Sequence, residues 1–199
     1  FFASAIILQL FTLLAIVHFR NFKDPKYKEL KVLDAIRSFW ITQDLRHSLY
    51  ANFFLQMFFS WTIIFIPLYL ATEIGLSWGS IGSIIAFGLF AYVIVEYPAG
   101  ILADKYIGER EMMAVGFVII AVTLSWITFM KGAPLTSWMM LMFVNRVGAA
   151  LVETSTESYF FKHTVGSDVN IISFFRLMRP LAMIVGSLLG SAILLFLPF

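Results

Sequence analysis

The sequence predicts an all-α integral membrane protein, a polytopic bundle of about six transmembrane helices, and three observations carry that prediction. Hydrophobic residues fill 60% of the 199 positions and charged residues 13%, about half the roughly 25% of a soluble domain. Six stretches, 1–19, 50–71, 78–97, 112–130, 137–161 and 171–197, are apolar and long, and about 20 such residues span about 30 Å of hydrocarbon. The basic residues gather in alternate connections, as they do in loops held on the cytoplasmic side.

The first stretch leads into a link, 20–49, with seven basic residues: Arg20, Lys23, Lys26, Lys28, Lys31, Arg37 and Arg46. That charge predicts a cytoplasmic link. Alternation then puts 98–111 and the link around Gly166 inside, and the turns at Gly75 and Gly132 outside. Within 20–49, Leu30, Leu33, Ile36 and Trp40 share a helical face. They read either as an interfacial helix on the inner leaflet or as part of a solvated basic connector.

The second stretch carries Asn52, Gln56 and Ser60 at i, i+4 and i+8. This polar face lines either a helix contact or a watery cavity open to a small-molecule substrate. Farther along, Pro67 removes a backbone donor and allows a bend. The third stretch opens on "GLSWG", a G-x-S-x-G pattern whose serine would need a histidine base to act as a nucleophile. His18, His47 and His163 all fall near the inner face, so Ser77 reads as an N-cap after a tight turn. Gly79, Gly82 and Ala86 in the third stretch, and Ala182, Gly186 and Gly190 in the sixth, are expected at close helix contacts.

The fifth stretch holds the chemistry. Arg146, Ala150, Glu153 and Glu157 fall on one helical face, and ionisable groups inside a bilayer cost at least about 2.5–3.5 kcal/mol each unless something neutralises or uses them. Antiparallel pairing with the sixth stretch matches Glu157 with Arg176 and Glu153 with Arg179 in depth. The carboxylates are therefore either structural ion pairs or proton-coupling groups. Arg146, near the midplane, either binds an anionic group or satisfies a neighbouring helix.

Several classes are excluded by composition. A net charge of +2 gives little attraction for nucleic acid. With no Cys and three histidines far apart in sequence, no disulfide, zinc site or other metal set is indicated, and no cofactor is called for. No nucleophile–base pair can be assembled, so an enzyme is not expected. The opening on Phe1 within an apolar run leads to the expectation that this is a piece of a longer protein.

The segment "PAGILADKYIGERE" resembles the signature loop of the major facilitator superfamily, G-x-x-x-D-[RK]-x-G-[RK]-[RK], at Gly100, Asp104, Lys105, Gly108 and Arg110. One residue is extra between Lys105 and Gly108, and Glu109 stands at a basic position. Gly100 is expected to admit a neighbouring helix, Gly108 to make the turn, and Asp104 to accept from the N–H groups at a helix start. Arg146, Gly148 and Ala150 are similar to the superfamily's motif of an arginine followed by small residues. "VETSTESYFFK" resembles a group of uncharacterised bacterial members.

The resemblance implies a half-transporter: 1–19 the last span of an N-terminal half, 20–49 the inter-half linker, and 50–199 a C-terminal bundle lacking its final span. It implies a gating loop that docks on the missing N-terminal half, and a multi-pass protein of the cell (inner or plasma) membrane. The implied activity is secondary transport of a small solute by alternating access. Together with the carboxylate stripe it leads to proton coupling as the expected mechanism. An ion-independent facilitator, or a non-transporting scaffold or sensor that binds lipid through its basic link, are the alternatives.

Overall fold

A computed structural model describes residues 2–19, 32–164 and 169–196, and the described residues contain helices and turns but no strand. The helices are α1 (Phe2–Phe19), α2 (Val32–Ile41), α3 (Gln43–Thr72), α4 (Trp78–Leu102), α5 (Glu109–Trp126), α6 (Leu135–Lys162) and α7 (Val169–Phe196). Contacts divide the chain into two units, residues 1–30 and 31–199.

Five of the six expected spans form helices long and apolar enough to cross a membrane: α3, α4, α5, α6 and α7, with short extensions of α4 and α5. The first expected span, 1–19, is the apolar helix α1, described over Phe2–Phe19. The link expected over 20–49 is divided between the two units. From Lys31 onward it belongs with the bundle, where α2 packs on α3 and α7. Residues 20–31 of that link, and Gly166 with Asp168, lie outside the described residues.

Helix α6 occupies the centre, packed against α3, α4 and α5, while α7 packs on α3. Small residues make the closest crossings. A Cβ on Gly116 of α5 would lie 2.7 Å from the Gly148 carbonyl oxygen, and one on Gly148 2.9 Å from that of Gly116. The two backbones are in direct contact there. On α7, added Cβ atoms at Gly186 and Gly190 would lie 2.9 Å from Met57 Cγ and 2.2 Å from the Phe65 ring, and Ala182 is fully buried. The small stripe expected on α7 does face α3.

The stripe expected on α4 does not make a contact. Gly79, Gly82 and Ala86 are exposed, and the packed face is Ile81, Ile84, Gly88, Ala91 and Ala99. Two residues of offset is about 200° of helix, so the two stripes lie on opposite faces. Ile81 and Ile84 join Leu70, Met130, Trp138 and Met142 in one apolar cluster, and that cluster draws their face inward.

The turns follow the sequence closely. Gly75 and Gly132 have φ of 74° and 80°, and Ser77 caps α4 by accepting from the Ser80 N–H at 3.2 Å. Pro67 lies inside an unbroken α3.

Candidate functional site

Two clusters of ionisable side chains meet on α6, one within the span and one at its C-terminal end. Within the span, Glu153 receives the Arg179 guanidinium of α7, Nη2 to Oε1 at 3.4 Å. The same guanidinium donates through Nε to Gln56 Oε1 of α3 at 3.1 Å. Gln56 Nε2 in turn donates to Asn52 Oδ1 at 3.4 Å, and Asn52 Nδ2 to the Phe175 carbonyl at 3.3 Å. One turn farther, Ser60 donates to the Met183 carbonyl at 3.1 Å and shares a 2.8 Å hydrogen bond with Ser187. The polar face of α3 is thus bonded along α7, and it reaches Glu153 through a single arginine.

Glu157 lies elsewhere. Among the described residues no ion pair joins it to Arg176. The register explains why: α7 turns Phe175, Ala182, Gly186 and Gly190 inward, and Arg176, one residue past Phe175, is swung about 100° away into exposure. Glu157 instead lines a cavity of about 390 Å³ with Glu153, Thr154, Ser158, Phe161 and Glu96 of α4. Glu96 escaped the sequence reading, although a carboxylate inside the apolar run "AYVIVEYPAG" was a signal of the kind that singled out Glu153.

Arg146 is 7% exposed. Its guanidinium carbon lies 5.9 Å and 5.6 Å from the ring centres of Phe58 and Phe59 on α3. Gly88 of α4 leaves room for its stem, since an added Cβ would sit 3.3 Å from Arg146 Cγ. Each desolvated cation–π contact is worth up to about 2 kcal/mol, enough for two rings to offset most of the insertion cost of about 3 kcal/mol. Arg146 forms no ion pair among the described residues. Farther toward the N-terminus of α6, Asn145 is fully buried and donates to Thr123 Oγ1 at 2.8 Å, with its own Oδ1 unpartnered.

At the C-terminal end of α6 the loop is fastened to the bundle. Asp44 in the first turn of α3 accepts from Arg110 Nη2 at 2.5 Å and from the Tyr159 hydroxyl at 2.5 Å. Arg110 Nε also donates to the Tyr159 oxygen at 2.9 Å. His163 Nε2 stands 3.8 Å from Asp44 Oδ2, and its Nδ1 is 2.7 Å from the Tyr159 carbonyl. Lys162 bridges Asp104, at 2.7 Å, and Glu109.

The geometry explains both departures from the loop pattern. Residues Ala103–Ile107 form a π-helical turn, closed by the Gly108 N–H donating to the Ala103 carbonyl at 3.1 Å. A wider turn of this kind absorbs one extra residue without breaking the helix. Glu109, standing where the pattern has a base, is matched by Lys162 from α6. Gly108 has φ 95° and ψ 148°, a conformation that glycine alone adopts readily.

Asp104 does not cap α5 as expected. The helix starts after Gly108 without a side-chain cap, and the π turn leaves Asp104 upstream, where Lys162 holds it. Gly100 is not a tight contact either, since an added Cβ would meet only Thr154 Cγ2 at 3.9 Å. Lys105 is exposed. Among the described residues no group of three His, Asp or Glu side chains is placed to hold a metal ion.

A bundle of long apolar helices with buried ionisable groups and a charged, glycine-hinged loop between two spans defines a polytopic membrane protein of the transporter kind. The Major Facilitator Superfamily family model matches residues 49–199, and the chain belongs to that superfamily of membrane transporters. No curated protein and no solved structure matches the chain.

Proposed function

We propose that the chain is the C-terminal half of a secondary active transporter that moves a small solute by alternating access and is coupled to protons at Glu153. The observation that carries this reading is the placement of Glu153 between its ion-pair partner, Arg179, and a cavity. Arg179 comes from another helix, at a distance near the limit of an ion pair, and the cavity beside Glu153 holds two further carboxylates, Glu96 and Glu157.

A carboxylate in this position binds a proton more tightly as its arginine recedes, because a nearby cation favours the charged form and desolvation disfavours it. If the α3–α7 pair shifts relative to α6 within this half during the cycle, Arg179 stays with Gln56 on α3 and Glu153 takes a proton. Return of the arginine expels it. A conformational equilibrium responds to a ligand only through such differential interactions.

Glu157 and Glu96 serve as the local relay to the aqueous end, and Arg146 as a fixed cation deeper in the span. Asn52, Gln56 and Ser60 keep α3 and α7 together as one moving body. The loop from Gly100 to Arg110 holds the inner end closed through Asp104 and Arg110. The solute, the proton and the N-terminal half are the partners in this reading. The membrane is the cell's inner or plasma membrane, with the basic link on the cytoplasmic face.

The test uses the complete transporter reconstituted in vesicles around a trapped pH dye, with pooled solutes added outside. Wild type is expected to move protons with solute, and Glu153→Gln and Glu157→Gln to fold but lose that movement. Unchanged solute equilibration without a proton signal in all three would assign the carboxylates a structural role in an ion-independent facilitator.

A further inference from the structure

Helix α2 has two apolar faces. Phe39, 2% exposed, points inward. Its ring stacks on Phe160 of α6 at 6.3 Å and lies against Phe174 of α7 at 5.2 Å, while Phe160 stacks on Phe175 at 3.9 Å. On the other side Leu33, Trp40 and Ile41 are 81%, 64% and 71% exposed. On a helical projection Leu33, Arg37, Trp40 and Ile41 fall within about 100° of arc, and Phe39 lies well outside it.

An apolar outward face on a helix already anchored by its inward one needs a non-aqueous neighbour. The level at which α2 lies identifies that neighbour. Phe160 is two residues from Lys162, and α2 leads through Thr42 into Asp44 in the first turn of α3. The ionisable side chains Asp44, Glu109, Arg110 and Lys162 mark one polar plane at the ends of three spans. Helix α2 packs beside that plane, the level at which headgroups would meet hydrocarbon around a bundle whose spans end there.

Its composition fits the same place. Tryptophan prefers the interface, and an arginine between apolar neighbours extends its charge to the headgroups while its stem stays in the acyl region. Arg37 lies in the middle of the outward arc. Arg46 donates to the Trp40 carbonyl at 3.4 Å, which brings a second cation beside it. Over 20–46 the sequence carries seven basic residues and four acidic ones, and basic segments that flank a span favour anionic lipid.

We infer that the outward face of α2 (Leu33, Arg37, Trp40 and Ile41) is a phospholipid-binding surface seated at the headgroup–acyl boundary, with anionic headgroups as counter-ions of Arg37 and Arg46. Through Phe39 the lipid surface is then mechanically joined to the ends of α6 and α7. This surface is independent of what the transporter carries.

The chain has no cysteine, so single nitroxide labels are introduced in the complete protein at Leu33→Cys and Ile41→Cys, with Lys131→Cys in the opposite turn as an aqueous reference. Collisional accessibility to oxygen and to a water-soluble nickel chelate is measured in phosphatidylcholine vesicles, with and without phosphatidylglycerol. At Leu33 and Ile41 the oxygen-to-chelate ratio should exceed that at Lys131 several-fold and rise further with phosphatidylglycerol. A ratio equal to the reference, or labels shielded from both reagents because protein covers the face, would overturn the lipid assignment. A ratio indifferent to phosphatidylglycerol would overturn the assignment of anionic headgroups.

Discussion

The two charged regions of α6 use the same residue types to opposite ends. At its C-terminal end Asp44, Asp104, Glu109, Arg110, Tyr159 and Lys162 close on one another, and each carboxylate has a cation or a hydroxyl within hydrogen-bonding distance. Within the span one arginine is shared between Glu153 and an uncharged glutamine, and Glu96 and Glu157 form no ion pair among the described residues. The first arrangement is satisfied and partly solvated, so it holds a loop in place. The second is under-supplied with cations in a medium where that is expensive. A proton is a counter-charge that can make up the difference, and this is why the coupling role is proposed for the second region.

The comparison can be sharpened first by a steric control. Gly116→Leu would drive side-chain atoms into Val152 and the Gly148 backbone. Overpacking of this kind costs about 3 kcal/mol or more, and thermal unfolding in detergent should show the largest loss of all these variants, with no charge altered. Arg179→Leu comes next. It leaves Glu153 without its cation, so solute-dependent proton movement should fall to background while the helical circular dichroism stays near wild type.

A smaller effect is expected at the loop. Lys162→Ala should weaken loop closure, read as faster trypsin cleavage at Lys105 or Arg110, and high salt should mimic it because this region is exposed and screened. The same salt should leave the Glu153–Arg179 region unchanged. Gln56→Leu should have the least effect, about 1 kcal/mol of stability for one hydrogen bond. It should nevertheless shift the pH dependence of proton movement, because Gln56 helps position the arginine that pairs with Glu153.

Much of this was legible in the sequence. Hydropathy located the five long spans, and glycine and serine located the turns at Gly75, Ser77, Gly108 and Gly132. Depth matching paired Glu153 with Arg179. What failed did so for want of azimuth, the direction in which a side chain points around its helix. Gly79, Gly82 and Ala86 repeat with the correct period on the wrong face, and Arg176 has the right depth for Glu157 but points away. The Gly116–Gly148 crossing and the π turn after Ala103 depend on how two helices approach, which no single-helix pattern encodes. Glu96 is different, since its position inside an apolar span was visible and its partners were not.

The most direct test exchanges partners in both regions of the complete protein in dye-loaded vesicles. One variant combines Glu153→Arg with Arg179→Glu, and the other Glu109→Lys with Lys162→Glu. Each keeps a facing pair of opposite charges, but the first moves the carboxylate from α6 to α7, away from Glu96 and Glu157. The prediction is that the loop-end exchange retains solute-driven proton movement, while the mid-span exchange folds and loses it. Proton movement preserved in the mid-span exchange and lost in the loop-end exchange would contradict the assignment of coupling to Glu153.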